Sequence, residues 1–248
     1  MAMSVQNGVS VLKTWIFSRS TWAGLLRWTW RSILALFLMV HLYALILKWV
    51  DPPGTILIGQ RNLELGETWR NTVKLEDISP HLIRAVIAAE DSGFCAHSGV
   101  DFEAMQVAIE EWRAGEGLRG ASTITQQTAK NVFFWNGGGA PRKAGDAWMG
   151  LVIDKVWGKR RVMETYLNVA EWGDGIFGIE AASRIRFNKT AAQLTRREAA
   201  LLAAVLPSPN RWRVDPPGPY VSRRAGTLQA RMNVVESDGL DACILGLR

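Results

Sequence analysis

The chain has 248 residues, 48% of them hydrophobic, and its formal net charge of +6 raises the question of nucleic-acid binding. Four of the 29 Lys and Arg residues lie within residues 1–31, which contain no Asp or Glu, so the remainder of the chain is nearly neutral. The basic excess therefore belongs mainly to the N-terminal tail, and we exclude nucleic acid as a partner.

An apolar segment predicts a membrane-spanning helix over residues 32–50. Residues 33–47 are almost entirely apolar, with Trp and Arg residues before them and Lys48 and Trp49 after them. About 20 residues cross a hydrocarbon layer of about 30 Å, and Trp residues suit its interfaces. The alternatives are a cleaved signal peptide, although no small-residue cleavage site follows, and a buried core helix.

The positive-inside rule predicts the orientation, because basic residues precede the span and acidic residues follow it. Residues 1–31 are then a cytoplasmic tail, and the chain after the span lies on the outer side. We expect a connecting segment over residues 51–75, with short strands or an extended arm. One domain over residues 76–236 and a C-terminal tail over residues 237–248 complete the predicted organisation.

Helical periodicity after residue 78 predicts a mainly α domain. Ser79 and Pro80 have the form of an N-cap followed by Pro at the first helical position, and that helix carries Glu90. Thr195 and Glu198 form a capping-box pattern that begins a late helix. Further helices are predicted over residues 104–113, 122–134, 144–157, 160–171 and 220–236, with Gly158 separating two of them.

The cysteines and histidines limit which disulfide and metal sites the sequence predicts. Cys95 and Cys243 are too few for a disulfide framework and lack metal-site spacing, so we expect two free, partly buried thiols. His41, His81 and His97 are too scattered for a zinc centre.

Glu90 is the first candidate for chemistry, because it lies on the same helical face as an apolar stripe that includes Leu82 and Val86. A carboxylate in line with buried residues costs free energy unless it is paired or protonated, and burial raises its pKa toward a useful catalytic value. The alternative is a helix-terminal Glu hydrogen-bonded to a neighbouring backbone.

Residues 120–131 form a polar segment in which Gly, Ser and Thr at a predicted helix start offer backbone N–H groups to an anion. Lys130 adds a point charge suited to phosphate. The alternative is an N-capped surface helix. The apolar residues 132–135 follow, and we interpret them as core, with a lip that dips into the membrane as the alternative.

Four ordered motifs resemble those of the peptidoglycan glycosyltransferases. Residues 89–101 are similar to their first motif, Glu-Asp-x-x-Phe-x-x-His-x-Gly, and residues 120–127 to their second, Gly-x-Ser-Thr-Ile-Thr-Gln-Gln. Residues 161–178 resemble the Tyr-Leu-Asn motif and the glycine-containing segment after it, and residues 199–207 match the late helix. The resemblance is greatest to the stand-alone, monofunctional branch, because the remaining C-terminal residues are too few for a penicillin-binding domain.

The resemblance implies a lysozyme-like, mainly α glycosyltransferase domain preceded by one transmembrane helix. Such an enzyme elongates glycan strands from lipid II, the lipid-linked disaccharide-pentapeptide precursor, by an inverting transfer that releases undecaprenyl diphosphate. The implied location is the cell inner membrane, with the catalytic domain in the periplasm. Expected partners are lipid II, the growing lipid-linked glycan, the membrane and other wall-synthesis proteins. No cofactor is required, and a divalent cation such as Mg²⁺ is optional.

By the same resemblance, Glu90 is the general base and Asp146 the second catalytic carboxylate. The residues expected to bind the substrate and its pyrophosphate are Asp91, Phe94, His97, Ser122, Thr123, Gln126, Gln127, Lys130, Arg142, Lys143 and Asn168.

Two positions depart from the family pattern. The third motif of the family, which precedes the Tyr-Leu-Asn motif, is Arg-Lys-x-x-Glu. Residues 142–146 occupy its place and end in Asp146, which sets the carboxylate back by about 1.5 Å. A gap of that size costs on the order of 100-fold in rate if nothing compensates. We expect Asp146→Glu to speed the enzyme, because Gly145 leaves local space. The alternative is that a shifted backbone or neighbour already brings Asp146 to the site, so that Glu would overfill it and slow the enzyme. The stand-alone members tend to carry an Arg where this chain has Gly138, so a pyrophosphate contact is missing or Arg142 supplies it.

Two other functions fit parts of the sequence. A lysozyme-like lytic enzyme also uses a catalytic Glu, but it has no need of the phosphate-binding segment. A catalytically weak binding subunit of a wall-building complex is kept open by the departures at Asp146 and Gly138.

Overall fold

The computed structural model describes residues 19–116 and 120–246 and divides the chain into two units, residues 1–47 and residues 48–248. The first unit contains one long helix, α1 (Arg19–Ile46). Its apolar part, Trp22–Ile46, has 25 residues and a mean hydropathy of 1.6. At 1.5 Å per residue these extend over about 37 Å, which is enough to cross a membrane.

The helix α1 begins earlier than the predicted span of residues 32–50, so residues 19–31 of the predicted tail are helical. The rest of that tail, residues 1–18, lies outside the described residues. His41 falls within the span, and its Nδ1 donates to the carbonyl oxygen of Phe37 at 2.7 Å. This bond satisfies a ring nitrogen within the helix, as a non-aqueous environment requires.

The second unit begins with helix α2 (Ile56–Leu65), where the sequence analysis predicted short strands or an extended arm. The prediction is wrong for these residues. The oxygen Oγ1 of Thr55 caps the helix by accepting from the backbone N–H of Ile58 at 3.2 Å, and Gly66 ends it in the left-handed conformation. Both caps are visible in the sequence, but the scattered apolar residues between them have no clear helical period.

The remaining elements confirm a mainly α domain. The three short strands β1 (Trp69–Arg70), β2 (Glu171–Gly173) and β3 (Ile176–Phe177) form a sheet in the order β1-β3-β2, with β1 parallel and β2 antiparallel to β3. Single-turn 3-10 helices occupy Leu75–Asp77 and Ala191–Gln193. In chain order the elements are β1 (Trp69–Arg70), α3 (Pro80–Glu90), α4 (Phe102–Arg113), α5 (Ile124–Phe133), α6 (Gly139–Val169), β2 (Glu171–Gly173), β3 (Ile176–Phe177), α7 (Ile179–Phe187), α8 (Arg196–Val205), α9 (Pro219–Ser237) and α10 (Ala242–Leu245).

The core of this unit is formed by α3, α8 and α9, which pack against one another. Every residue of α3 from Leu82 to Ala88 is buried, including Arg84. The capping box of Thr195 and Glu198 is present at the start of α8, as predicted. Ser79 occupies the N-cap position of α3, but its hydroxyl donates to the carbonyl oxygen of Leu194 and makes no cap hydrogen bond.

Helix α5 lies along the long helix α6. The break predicted at Gly158 is present, because this residue has φ 74° and ψ 165° inside α6. Glycine adopts that conformation without the steric cost of a Cβ atom. The two halves of α6 thus carry the third motif and the Tyr-Leu-Asn motif on differently directed helical segments.

The C-terminal residues 238–246, which we call the C-terminal hook, bind back to the core. Cys243 forms a disulfide with Cys95, so the prediction of two free thiols is wrong. The buried guanidinium of Arg84 donates to Asp241 Oδ2 at 2.7 Å, and Ile244 is buried. The two cysteines are 148 residues apart, and a pairing at that separation leaves no local signal in the sequence.

Candidate active site

Glu90 is the last residue of α3, and its side chain emerges where the buried face of the helix meets a cavity. That cavity of about 120 Å³ is also lined by Asp91, Ser122 and Thr123. Burial raises the pKa of the Glu90 carboxyl, while the hydrogen bond from Gln127 and the charge of Arg224 act in the opposite direction. Glu90 therefore has the environment predicted for a base, half-buried at a rim.

The carboxylate of Glu90 is held by a side chain from the second motif. Gln127 Nε2 donates to Glu90 Oε2 at 2.8 Å. This bond differs from the alternative considered for Glu90, a hydrogen bond to a neighbouring backbone. The first and second motifs thus meet at the reactive carboxyl.

Asp91, supported by His97, also joins the same two motifs. Asp91 Oδ2 accepts the backbone N–H of Ile124 at 3.0 Å, and His97 Nε2 lies 3.0 Å from each carboxylate oxygen of Asp91. Phe94 is fully buried, with 0% of its surface exposed. Asp91 and His97, two of the predicted substrate-binding residues, are thus hydrogen-bonded within the protein. The third, Phe94, lies in the interior.

Thr123 and Gln126 build the N-terminus of α5. The oxygen Oγ1 of Thr123 accepts the backbone N–H of Gln126, and Gln126 Oε1 accepts that of Thr123 at 2.9 Å. Thr123 also donates its hydroxyl to the carbonyl oxygen of Gly99 at 2.6 Å. A Cβ at Gly99 would lie 2.6 Å from the carbonyl oxygen of Gly150, so only glycine permits this close approach.

Lys130 faces a larger cavity of about 410 Å³ that is also lined by Gln127, Asn131, Tyr166 and Arg211. Burial and the charge of Arg142 lower the pKa of Lys130, whereas Asp146 and Glu90 raise it. Lys130 is thus within electrostatic reach of both candidate carboxylates. In the described part of the chain no carboxylate lies within 4 Å of its ammonium, so this partly desolvated cation remains available to an anionic ligand.

Asp146 is buried on α6 and forms an ion pair with Arg142, one helical turn earlier. Burial raises the pKa of Asp146, while its hydrogen bond to Arg142 lowers it. Arg142 Nε donates to the carbonyl oxygen of Gly137. A Cβ at Gly138 would lie 2.9 Å from Arg142 Cβ, so the Arg142 side chain covers this glycine.

The free space expected at Gly145, the neighbour of Asp146, is absent. A Cβ on Gly145 would lie 2.8 Å from Cζ of Phe134, because this ring packs directly on the glycine. Val132 is buried, while Trp135 keeps 47% of its surface exposed. Residues 132–135 are therefore partly core, as predicted, and partly surface.

Ser122 and Lys143 are exposed at the mouth of the site. With Gln126 and Asp146 they line a cavity of about 230 Å³, and Ser122 also borders the cavity of Glu90. Ser122 thus lies between the spaces that the two carboxylates face. The apolar side of this second cavity comes from Met105 and Ile109 of α4 and from Ala108 between them.

Asn168 is hydrogen-bonded through its side chain to the backbone of a distant segment. Its side-chain amide donates to the carbonyl oxygen of Val73 at 2.8 Å and accepts the backbone N–H of the same residue at 3.0 Å. These two bonds hold the segment before α3 against α6. The geometry supports a positioning role for Asn168.

Two residues of the site were not predicted. Tyr166 donates its hydroxyl to Gln127 Oε1 at 3.2 Å, and Arg224 acts on the charge of Glu90 from α9. Tyr166 belongs to the Tyr-Leu-Asn motif, from which only Asn168 was taken as a site residue. Arg224 lies far along the chain from Glu90, and no local pattern indicates that α9 returns to the site.

The described residues offer no cluster of three or more His, Cys, Asp or Glu side chains that could hold a metal ion. Asp91 and His97 at the site are already bonded to each other. The residues at the site therefore do not form a complete metal centre by themselves.

Comparisons with known proteins identify the family of this chain. The family model described as Transglycosylase matches residues 58–236. A biosynthetic peptidoglycan transglycosylase of Rhodospirillum centenum is 50% identical over 212 residues, which cover 85% of this chain and 91% of the relative. Proteins of the same name from Shewanella amazonensis (43% over 223 residues; 87% and 90%) and Caulobacter vibrioides (46% over 219 residues; 86% and 94%) are also similar.

Proposed function

This chain belongs to the transglycosylase family as a peptidoglycan glycosyltransferase, and on that premise we propose that it elongates glycan strands from lipid II and releases undecaprenyl diphosphate. The observation that carries the proposal is the half-buried carboxyl of Glu90. Gln127 of the second motif holds it and also lines the cavity that Lys130 faces, and the charges of Glu90 and Lys130 act on each other. A base next to a cation is the pairing that such a transfer needs.

Glu90 takes the proton from the 4-hydroxyl of the acceptor sugar. As the proton leaves, the hydroxyl oxygen attacks the anomeric carbon of the donor, and the bond from that carbon to the diphosphate oxygen breaks. The single displacement inverts the anomeric centre. The raised pKa of Glu90 supports this role, because a base accepts a proton best when its pKa is near the working pH.

Lys130 is the principal candidate to receive the charge of the departing diphosphate. Its ammonium is partly desolvated, and charges act more strongly on a ligand in such a site than in water. Arg142 and the exposed Lys143 carry further positive charge on α6. A good leaving group of this kind needs cations more than it needs a proton.

Asp146 acts as the second carboxylate through the ion pair with Arg142. The pair fixes the guanidinium and leaves Asp146 Oδ1 without a hydrogen-bond partner among the described atoms. We propose that this ion pair orients the Arg142 guanidinium toward the diphosphate. The direct contact of Asp146 with the Arg142 guanidinium therefore compensates for the shorter Asp side chain.

A divalent cation remains optional in this proposal. The described side chains supply too few grouped ligands to bind it alone, so a cation would depend on the oxygens of the substrate diphosphate for the remaining ligands. When bound, such a cation would neutralise part of the leaving-group charge. The polymerisation rate with and without a chelator tests this point.

The protein has a single-pass membrane anchor in α1. We propose that α1 lies in the inner membrane with its N-terminus in the cytoplasm and with residues 48–248 outside it. The basic residues before the span support this orientation. The disulfide between Cys95 and Cys243 supports it independently, because disulfides persist in oxidising compartments and are rare in the cytosol.

Incubation of the purified protein with lipid II tests the proposed function. We expect lengthening glycan that remains sensitive to lysozyme and release of undecaprenyl diphosphate. A lytic enzyme would shorten preformed glycan strands and leave lipid II unchanged. A binding subunit would retain lipid II without turnover, and either of those results would overturn the proposal.

A further inference from the structure

A chain of two hydrogen bonds connects the interior of α6 to the carboxyl of Glu90. Tyr166 donates its hydroxyl to Gln127 Oε1 at 3.2 Å, and Gln127 Nε2 donates to Glu90 Oε2 at 2.8 Å. Tyr166 has 1% of its surface exposed, so the residue is almost fully shielded from bulk water. The three residues lie on α6, α5 and α3, and we call them the Tyr166 relay.

The chemistry of the groups sets the direction of the relay. An ionised carboxylate only accepts hydrogen bonds, so the amide nitrogen of Gln127 must face Glu90. The amide oxygen then faces Tyr166, whose hydroxyl must donate. Burial and the charges of Glu90 and Asp91 raise the pKa of Tyr166 well above its usual value, so the hydroxyl keeps its proton throughout the working range of an enzyme.

We propose that Tyr166 is a positioning residue for the transfer reaction: its hydroxyl fixes the Gln127 amide, which holds Glu90 Oε2 and leaves Oε1 to receive the proton of the acceptor hydroxyl. No hydrogen bond to Oε1 is present within the described part of the chain. This inference rests on the proposed role of Glu90 as the base. It also changes the role expected of Gln127 from binding substrate to orienting the base.

The proposal predicts a change in the base and not in substrate affinity. Without the hydroxyl, the Gln127 amide can rotate, and Glu90 loses a donor that stabilises its ionised form. The pKa of Glu90 then rises further. Because the base must be ionised to act, the acidic limb of the pH–rate profile moves to higher pH.

Tyr166→Phe is the direct test, because it removes only the hydroxyl. We expect kcat for lipid II polymerisation to fall about three- to tenfold, the equivalent of one buried hydrogen bond. The acidic limb should move up by about half a pH unit, and KM should change less than twofold. Thr165→Val is the matched control, since Thr165 is a buried neighbour whose hydroxyl oxygen has no hydrogen-bond partner among the described atoms.

A double-mutant cycle with Gln127→Ala tests the connectivity of the relay. Gln127→Ala should move the acidic limb in the same direction, and the double variant should be no worse than Gln127→Ala alone. Far-UV circular dichroism and the melting temperature of each variant establish that it is folded at the assay temperature.

Three results would contradict the proposed role of Tyr166. These are an unmoved acidic limb in folded Tyr166→Phe, losses that are additive with Gln127→Ala, or a rise in KM with an unchanged kcat. The last would return Gln127 to substrate binding. Wild-type protein that does not polymerise lipid II at all would instead refute the proposed function, so the two failures are distinguishable.

Discussion

Asp146 forms an ion pair with Arg142, and the side chain of Arg142 in turn covers Gly138. These contacts connect the two positions at which the chain departs from its family. Any Cβ at position 138 would lie 2.9 Å from Arg142 Cβ, so glycine there permits the observed place of Arg142. The two positions are therefore parts of one local arrangement, and we propose that Arg142 takes the place of the Arg that the family resemblance implies four residues earlier.

The first prediction concerns Asp146. Asp146→Asn removes the charge that holds Arg142, and we expect polymerisation to slow about tenfold or more. Asp146→Glu keeps the charge but moves the carboxylate by one methylene from the place where it pairs with Arg142, so we expect a loss of about threefold or less. This revises the expectation from sequence that Glu would speed the enzyme, because the ring of Phe134 fills the space beside Gly145.

The rate of glycan elongation by the two variants side by side checks this prediction. Arg142→Gln should lose as much activity as Asp146→Asn, and the double variant should show little further loss. If both Asp146 variants matched wild type, Asp146 would have no part in turnover.

The second prediction concerns Lys130. Lys130→Ala should reduce the rate by at least about 100-fold, because it removes a cation from the proposed diphosphate site. The melting temperature should stay the same or rise, since burial of the ammonium lowers its pKa and therefore disfavours its charged form. Lys155→Ala, at an exposed position of α6, is the control and should leave both quantities unchanged. A collapse of the melting temperature with little change in specific activity would assign Lys130 a structural role.

The third prediction is that kcat/KM stays high over a narrower pH range than ordinary pKa values of Glu and Lys would give. Burial raises the pKa of Glu90, so the ionised base is lost at a higher pH than for an ordinary Glu, and kcat/KM should fall as the pH decreases through that value. Burial lowers the pKa of Lys130, so kcat/KM should also fall at a pH below the usual lysine value. The profile of the Lys130→Arg variant should keep the acidic limb and lose the alkaline one. An acidic limb at the ordinary Glu value would contradict the environment described for Glu90.

Much of the fold was predictable because its signals are local. Pro80 at a helix start, the Thr195–Glu198 capping box and the break at Gly158 each act within a few residues. The missed features depend on distant contacts. The Cys95–Cys243 disulfide and the approach of Arg224 to Glu90 join segments that only the tertiary structure brings together.

The site was predictable to a similar extent. The motifs identified the positions that gather around Glu90, but they did not separate residues that face the cavities from residues that support them. Lys130 lines a cavity, whereas Phe94 is buried and Asn168 is bonded to backbone. That distinction depends on which direction each side chain takes in the packed domain.

The fourth prediction concerns the C-terminal hook. Replacing both Cys95 and Cys243 by Ser should lower the free energy of unfolding by about 2–4 kcal/mol, because the disulfide closes a long loop. The polymerisation rate at moderate temperature should change less than about twofold, since the ion pair of Arg84 with Asp241 still holds the hook. Denaturant unfolding of the oxidised protein, the reduced protein and the double variant measures this effect. Equal midpoints for all three would show that the disulfide contributes no stability.

Glu90→Gln tests the central claim most directly, because Gln keeps the size of the side chain and removes the basic oxygen. The ionised carboxylate is disfavoured by burial, so the variant should melt at the same temperature as wild type or slightly above it. The measurement is the initial rate of glycan formation from purified lipid II by the wild type and by Glu90→Gln. We predict that the variant loses about 10²–10⁴-fold in rate while remaining folded. A folded variant that retained more than about a third of the wild-type rate would contradict the assignment of Glu90 as the base.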